Sequence, residues 1–175
     1  MTYVKAMTPG MKKYQNLLIA AIFMLTLAGC GASVSDSGQI SHPRNEAGQL
    51  TVSFDYETQS GYASNQFAVW IEDADGKLVK TLCATAFTAK GGYKNRPDSI
   101  LNWVGKSELS AMPKEQVDAI TGATPKSGKL SYVWDLTDSD GDAVPDGNYA
   151  FWIEGTLRWK NYAVFSGDIA VGGEQ

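Results

Sequence analysis

Alternating apolar and polar positions dominate the chain after residue 49 and predict a series of short β-strands. In residues 50–56, Leu, Val, Phe and Tyr alternate with polar residues, a period of two that is typical of a strand with one buried face. In residues 67–72 (FAVWIE), Phe67, Val69 and Ile71 alternate with Ala68, Trp70 and Glu72, which predicts a second strand. Residues 73–76 (DADG) predict a turn, and residues 78–87 predict a third strand. This strand–turn–strand spacing favours an antiparallel hairpin.

The alternation stops between residues 88 and 129. Residues 90–97 form a basic, glycine-rich stretch, and residues 98–106 and 113–120 each predict a short helix, the second with Pro113 near its first turn. Strands resume at residues 130–134, 149–153 and 162–171. The sequence therefore predicts an all-β domain, an antiparallel β-sandwich over residues 50–171, with an inserted loop and short-helix segment at about 88–129. Long insertions of this kind usually carry function.

Two strands repeat one pattern. Residues 68–72 read AVWIE and residues 150–154 read AFWIE. Two related strands that pair in one sheet would produce this repeat, although chance would also explain it. The tryptophans and most other aromatic residues are interpreted as core and cross-strand packing rather than as a ligand site.

The first thirty residues have the pattern of a lipoprotein export signal. Lys12 and Lys13 precede eleven largely apolar residues, 17–27, which are too few for a spanning helix of roughly 20 residues. The sequence LAGC that ends at Cys30 resembles the lipobox of bacterial lipoproteins. The resemblance implies that residues 1–29 are removed as a signal peptide and that Cys30 carries the lipid, including palmitate, that anchors the protein. Alternatives are a plain signal peptide or a buried helix, and Met11 is the expected start.

Removal of residues 1–29 changes the charge of the protein. That segment contains Lys5, Lys12 and Lys13 and no acidic residue, so the formal net charge moves from −4 to −7. An acidic mature chain argues against nucleic acid as a partner. Residues 30–49 are rich in Gly, Ser, Asn and Gln and predict a lipidated flexible tether. In a cell with an outer membrane, Gly31 after Cys30 favours an anchor in that membrane, facing the periplasm.

Candidate residues for hydrolytic or metal chemistry are few. Cys83 has no partner once Cys30 is acylated, so it is interpreted as a buried, inert thiol. The sole histidine, His42, lies in the tether, and a hydrolase is the third hypothesis, since no motif pairs a nucleophile with a base. Three aspartates at positions 138, 140 and 142 suggest calcium. However, Ala143 and Tyr149 stand where an EF-type loop needs Gly and Glu, so a solvated acidic turn is favoured and no metal is predicted.

Residues 134–149 (WDLTDSDGDAVPDGNY) resemble the strand–loop–strand signature of the immunoglobulin-like (Ig-like) domain in flagellar hook-capping proteins and certain secreted bacterial proteases. The resemblance implies that the predicted sandwich is Ig-like, with Trp134 at the end of one strand and Tyr149 at the start of the next.

Residues 118–124 (DAITGAT) resemble the flavinylation motif of extracytoplasmic flavoproteins such as subunits of sodium-pumping membrane complexes. In that family an exported, magnesium-dependent flavin transferase moves FMN from FAD onto the last hydroxyl of the motif. The resemblance implies that Thr124 is the covalent FMN acceptor, that Gly122 and Ala123 give access, and that the transferase reads Asp118, with Thr121 as the first hydroxyl position. The alternative is an ordinary Thr-Gly turn that ends a helix.

Nearby residues could support a flavin. Lys90, Lys94, Arg96 and Lys126 are candidates for contact with a phosphate, and Tyr93 or Trp103 for stacking on the isoalloxazine ring. The alternative is a loop that is basic only for solubility.

Over about residues 50–169 the chain resembles the domain-of-unknown-function 2271 family of predicted periplasmic proteins. The similarity is carried by residues 65–70 (NQFAVW), 88–93 (TAKGGY), 96–99 (RPDS), 121–124 (TGAT) and 128–130 (GKL). Members occur with flavin transferases and membrane flavin reductases, which implies an electron-transfer setting. The leading hypothesis is a membrane-anchored FMN carrier, and the alternative is an Ig-like interaction or assembly module without flavin. Either would be a redox carrier or binding module rather than a catalyst.

Overall fold

The computed structural model describes residues 21–23, 48–61, 64–158 and 161–172. The strands are β1 (Ala21–Phe23), β2 (Leu50–Tyr56), β3 (Gln66–Asp73), β4 (Leu78–Thr85), β5 (Thr121–Gly122), β6 (Gly128–Trp134), β7 (Gly147–Arg158) and β8 (Asn161–Val171). The helices are α1 (Ala86–Ala89), α2 (Leu101–Lys106) and α3 (Lys114–Ile120), with a 3₁₀ turn at Gly92–Lys94. One sheet has the order β1-β2-β6 and the other β5-β4-β3-β7-β8. The chain is therefore mostly β with two sheets, in agreement with the predicted sandwich.

The N-terminal predictions lie almost entirely outside the described residues. These include the lipobox with Cys30, the tether up to residue 47, and all of the signal peptide except β1. The backbone of β1 pairs antiparallel with β2, with Ala21 opposite Phe54 and Phe23 opposite Val52. Because residues 21–23 belong to the predicted signal peptide, this pairing describes the unprocessed chain. Among the described residues, no helix is long and apolar enough to cross a membrane.

The main core lies between the two sheets. Strand β2 shows why the alternation forms a strand here, because its four apolar side chains are buried while the intervening side chains are more exposed. The core residues are Leu50, Val52, Phe54, Tyr56, Phe67, Val69, Ile71, Trp134, Tyr149, Phe151, Ile153 and Ile169. Burial of so many large side chains is the main stabilising contribution to the sandwich.

A second core lies on the opposite face of the larger sheet, where the inserted segment covers it. Strand β3 is buried on both faces along almost its whole length. The second core comprises Ala68, Trp70, Ala84, Ala89, Ile100, Trp103 and Leu109. The insertion is therefore a structural layer, and the predicted two-layer sandwich has a third layer of short helices and turns on one side.

The repeated pattern of β3 and β7 has a structural explanation. The two strands pair antiparallel with Trp70 opposite Trp152, so that Ala68 faces Glu154 and Glu72 faces Ala150. The Trp70 and Trp152 rings are stacked, with centroids 6.1 Å apart and planes 11° apart. The prediction that the two strands pair in one sheet is confirmed, and the repeat gives their junction a local twofold arrangement.

The two glutamates of this repeat hold α2 against the sheet from both ends. Glu154 is buried and accepts hydrogen bonds from the Trp103 amide (3.0 Å) and from the backbone and side-chain nitrogens of Asn102. Glu72 is also buried; it accepts a bond from Trp70 Nε1 at 2.6 Å and pairs with Lys106 at 2.8 Å. Carboxylates at the first turn satisfy the free amides of a helix N-terminus. The glutamates therefore fix the inserted layer.

Replacing Glu154 by glutamine is expected to remove a pH-dependent part of the stability. Burial raises the pKa of the Glu154 carboxyl, although the amides of Trp103 and Asn102 oppose this. Since the pKa is higher in the folded chain than in the unfolded chain, this contribution to stability is lost as pH rises through the folded pKa. The free energy of unfolding of the wild type minus that of Glu154→Gln should therefore fall from about pH 4 towards neutrality. Urea unfolding at several pH values measures it. A difference that rises with pH for Glu154→Gln would contradict the assignment.

Several predicted boundaries differ from the structure. Strand β4 ends at Thr85 rather than at residue 87, because residues 86–89 turn into α1. Helix α2 begins at Leu101 rather than at residue 98, after Ile100 adopts a left-handed backbone (φ 43°) that breaks any helix started earlier. Strand β6 begins at Gly128, so the non-strand insertion ends slightly before residue 129.

Candidate functional site

The DAITGAT residues lie at the edge of the larger sheet. Asp118 is in the last turn of α3. Thr121 and Gly122 form β5, which pairs parallel with Ala84 and Thr85 at the end of β4. Ala123 and Thr124 follow on an exposed loop. The seven residues thus form a helix end, a short strand and a loop, and the pairing with β4 fixes the start of that loop.

The two threonines of the motif have different environments. The Thr121 hydroxyl donates to the Val117 carbonyl, and this bond satisfies a free carbonyl at the end of α3. The Thr124 hydroxyl donates to the Asn65 carbonyl at 3.2 Å, and its side chain is exposed. Helix α3 does end at this Thr-Gly pair, as the helix-ending interpretation requires. Of the two hydroxyls, Thr124 is the one that another enzyme could reach.

Gly122 allows a close approach between β5 and β4. A Cβ atom at this position would lie 3.2 Å from the Cys83 sulfur, which is tighter than ordinary contacts. Cys83 is half-buried, and burial raises the pKa of its thiol. The thiol is therefore protonated at neutral pH, which makes it a poor nucleophile, although it is less buried than the sequence interpretation expected. Packing alone accounts for glycine at position 122, in addition to any role in access.

An ion pair joins the inserted segment to the motif. Lys90 Nζ lies 2.8 Å from Asp118 Oδ1, with both side chains about half exposed. The Lys90 ammonium lowers the pKa of Asp118 by hydrogen bonding and charge. A solvent-exposed pair of this kind contributes little to stability. It does place the basic loop directly beside Asp118, which the resemblance to flavinylation motifs implies is the residue read by a transferase.

A buried hydrogen-bond network centred on Gln66 lies next to the residue that Thr124 contacts. The Gln66 side-chain oxygen accepts bonds from Thr85 Oγ1 (2.6 Å) and Thr88 Oγ1 (3.1 Å), and the Thr88 and Ser99 hydroxyls are 2.5 Å apart. Gln66 Nε2 donates to the Asn65 carbonyl at 2.8 Å. That carbonyl is the one that accepts from Thr124. The network therefore fixes the contact point of the candidate acceptor.

The sequence analysis did not assign these network residues a role. Two indications of this network were present in the sequence. Gln66 is a polar residue at the start of an otherwise largely apolar strand, and Thr88 and Ser99 both lie in segments that carry the similarity to the domain-of-unknown-function 2271 family. Because Gln66 bonds to residues 19 and 22 positions away, local patterns could not identify the network.

The other predicted flavin contacts have varied surroundings. Arg96 donates to the Ser64 carbonyl at 2.9 Å and to the Leu157 carbonyl, so it joins the insertion to the sheet, and burial lowers its pKa. Tyr93 is half-buried against the second core, and Lys94 and Lys126 are exposed. Trp103 is fully buried and donates to Thr81 Oγ1 at 3.0 Å. The suggestion that Trp103 stacks on a flavin is therefore wrong.

The acidic residues at 138–142 form a closed turn. Asp138 Oδ1 accepts bonds from the Asp140 amide (2.9 Å) and the Asp142 amide (3.0 Å). This aspartate oxygen is used within the turn, as expected when Asp initiates a loop. Within the described part of the chain, no group of three or more His, Cys, Asp or Glu residues is placed to hold a metal ion.

Comparison with known proteins identifies the family of the chain. A family model described as "Predicted periplasmic protein (DUF2271)" matches residues 47–175, which include the whole domain from β2 onwards. No curated protein and no solved structure matches the chain.

Proposed function

The chain belongs to the DUF2271 family of predicted periplasmic proteins, and we propose that it is a lipid-anchored, extracytoplasmic electron carrier with FMN bound covalently to Thr124. An extracytoplasmic location follows from the family. The anchor on Cys30 and the flavin are the parts that we add. The lipid would hold the domain at a membrane surface, facing the periplasm where an outer membrane is present. Residues 30–49 would let it reach a membrane flavin reductase.

The exposed Thr124 hydroxyl is the observation that supports this proposal most. It lies at the end of a motif held by β4 and by the Gln66 network, with one weak bond to a backbone carbonyl. In the transfer, a phosphoester bond would form between Thr124 Oγ1 and the FMN phosphorus of FAD. The bond between the two FAD phosphates would break, AMP would leave, and the hydroxyl proton would pass to solvent. The bound flavin would supply the redox chemistry, while the protein positions it.

Co-expression with an exported flavin transferase tests this function. The protein should then give a fluorescent band in a denaturing gel, because a phosphoester bond survives denaturation and a non-covalent flavin does not. A colourless protein, produced beside a known transferase substrate that is labelled, would reject the flavin and leave the alternative function.

The alternative function is an Ig-like interaction or assembly module. One observation favours Ig-like character, because the Tyr149 hydroxyl donates to the Pro145 carbonyl at 2.7 Å. A tyrosine at the start of a strand that bonds backward to the preceding loop resembles the tyrosine corner of Ig-like sandwiches. Trp134 is buried nearby, and its ring lies 5.3 Å from that of Tyr149. This feature concerns fold and is compatible with either function.

The lipid anchor makes a separate prediction. In cells fed labelled palmitate, the wild-type protein should incorporate the label and fractionate with membranes, because acyl chains of this length partition into the bilayer. Cys30→Ser should lose the label completely. Cys83→Ser is the matched control and should remain labelled. Equal labelling of the wild type and Cys30→Ser would exclude Cys30 as the lipidated residue.

A further inference from the structure

A cleft of about 520 Å³ lies along a free edge of the larger sheet. Strand β4 pairs with β3 on one side from Leu78 to Ala84. On its other side, β5 pairs only with Ala84 and Thr85, so none of the described strands continues the sheet beside residues 78–83. The β4 residues that line the cleft are Leu78, Lys80, Thr81 and Leu82. The floor of the cleft is therefore this free edge.

The free edge of β4 has backbone groups that a further strand could pair with. An edge strand presents amides and carbonyls that the sheet itself leaves unpaired. The Val79 carbonyl accepts a hydrogen bond from the Ser139 hydroxyl at 2.9 Å, and Ser139 lies outside both sheets. A donor that does not belong to the sheet thus already reaches this edge. Residues 78–83 extend over about 20 Å, the length of a partner strand of about six residues.

Two layers of the protein form the walls of the cleft. The inserted segment provides one wall, at Ala111, Met112, Ala119 and Ile120 among others. Val133 of β6 and the acidic turn that contains Ser139 line the opposite side. A segment lying between these walls would be enclosed on both faces, as β3 is.

We propose that this cleft binds an extended segment of a partner protein, which adds to the free edge of β4 as a further strand. In binding of this kind, backbone hydrogen bonds provide affinity and the pockets for side chains provide specificity. The inference does not rest on the flavin or on the lipid. It adds a partner site to the protein, whichever of the two proposed functions holds.

The lining indicates which side chains the partner segment carries. The apolar side chains of Leu78, Leu82, Met112 and Ile120 are half-buried, and Val133 is 52 % exposed. Contact with a ligand would remove this apolar surface from water. Because both faces of the added strand would be covered, the segment should be apolar at successive positions rather than at alternate ones.

The charges around the cleft favour a basic residue in the partner segment. Lys80 lines the cleft, but its Nζ lies 2.9 Å from Asp135 Oδ1, which balances its charge. Glu108 also lines the cleft and is exposed, and none of the ion pairs among the described residues includes it. Asp140 and Asp142 are exposed on the acidic turn. The excess of carboxylates is complementary to a Lys or Arg side chain.

The outer edge of β8 is the rival position for an added strand. Strand β8 is the last strand of the larger sheet, so its outer edge is free within the described part of the chain. Tyr162, Ser166, Asp168 and Ala170 are exposed on it. A strand added to β8 would therefore keep one solvated face, whereas the cleft beside β4 covers both faces.

The experiment uses the full chain, purified in detergent and produced without a flavin transferase. The probe is a phage-displayed library of random decapeptides. Enriched peptides are synthesised with a fluorescent label, and fluorescence anisotropy gives their Kd. Hydrogen–deuterium exchange then shows which backbone amides a bound peptide protects. The result is independent of flavin attachment, so failure of the proposed function and failure of this inference are distinguishable.

Two kinds of variant test the site, each with a matched control. Ala111→Leu and Ala119→Leu enlarge exposed side chains of the inserted wall, and Ala170→Leu makes the same change at an exposed position of β8. Glu108→Gln removes the carboxylate from the lining. Its control is Glu115→Gln, because Glu115 is exposed in the first turn of α3 and does not line the cleft.

We expect the enriched peptides to be apolar with at least one Lys or Arg, and to protect amides of residues 78–83 from exchange. Each cleft-filling variant should weaken binding about tenfold, because it overpacks the site. Glu108→Gln should weaken binding about threefold at low salt, and both controls should match the wild type. The inference would be overturned if no peptide were enriched over the Ala111→Leu protein. Peptides without a basic residue, or protection confined to β8, would overturn it as well.

Discussion

Replacing Thr124 by alanine is expected to abolish covalent flavin completely. The reaction needs a hydroxyl oxygen as the nucleophile, and alanine provides none. The variant should therefore show no fluorescent gel band and no added FMN mass when produced with the transferase. The folded domain should be unaffected, because the Thr124 side chain is exposed and makes one bond, to the Asn65 carbonyl.

Two variants make this test specific for the position. Thr124→Ser keeps a hydroxyl and should retain the flavin, because the transfer needs only a hydroxyl oxygen as the nucleophile. Ser127→Ala removes another exposed hydroxyl three residues away, whose partners are the backbone nitrogen and hydroxyl of Thr58, and it should also retain the flavin. A fluorescent Thr124→Ala protein would show that another residue is the acceptor.

Replacing Trp103 by alanine is expected to lower the free energy of unfolding by about 3–5 kcal/mol, the usual cost of removing a large buried aromatic side chain. Trp103 is fully buried at the centre of the second core, and its Nε1 donates to Thr81. The substitution leaves a cavity and an unpaired buried hydroxyl. Chemical denaturation followed by circular dichroism measures the effect.

A neighbouring position provides the control for Trp103. Leu101 is on the same helix but is 60 % exposed, so Leu101→Ala should change the free energy of unfolding by less than about 1 kcal/mol. If Trp103→Ala were equally mild, the inserted layer would contribute little to stability, and the description of a second core would be incorrect.

The strands of the sandwich could be predicted because burial of one face leaves a pattern in the sequence. Residues 50–56 alternate and residues 78–85 are rich in Thr, Val and Leu, and the structure shows strands in both places. Strand β3 was predicted from the alternation of residues 67–72. Both of its faces are buried, and the burial of the second face was not predicted. Helices α2 and α3 were predicted close to where they lie, but their packing on the sheet as a further layer was not, because no periodic pattern marks the buried side of such short helices.

The candidate site could be predicted only where a contiguous motif carries it. The motif interpretation requires an exposed hydroxyl, and Thr124 is exposed. The residues around Thr124 were harder to predict from the sequence, because the type of a residue does not show whether its side chain is buried. Trp103 and Arg96 were candidates for flavin contacts, yet one is fully buried and the other bonds to backbone carbonyls. A cleft beside β4 is lined by residues that lie between positions 78 and 139 of the chain, and no local sequence pattern shows that such distant residues come together.

Peptide mapping of the mature protein by mass spectrometry, after production beside its flavin transferase, tests the central claim most directly. The account predicts a chain that begins at an acylated Cys30 and a peptide containing Thr124 that is heavier by one FMN, with the modification on the Thr124 oxygen. An unmodified Thr124 peptide, from cells in which the same transferase labels another substrate, would contradict it.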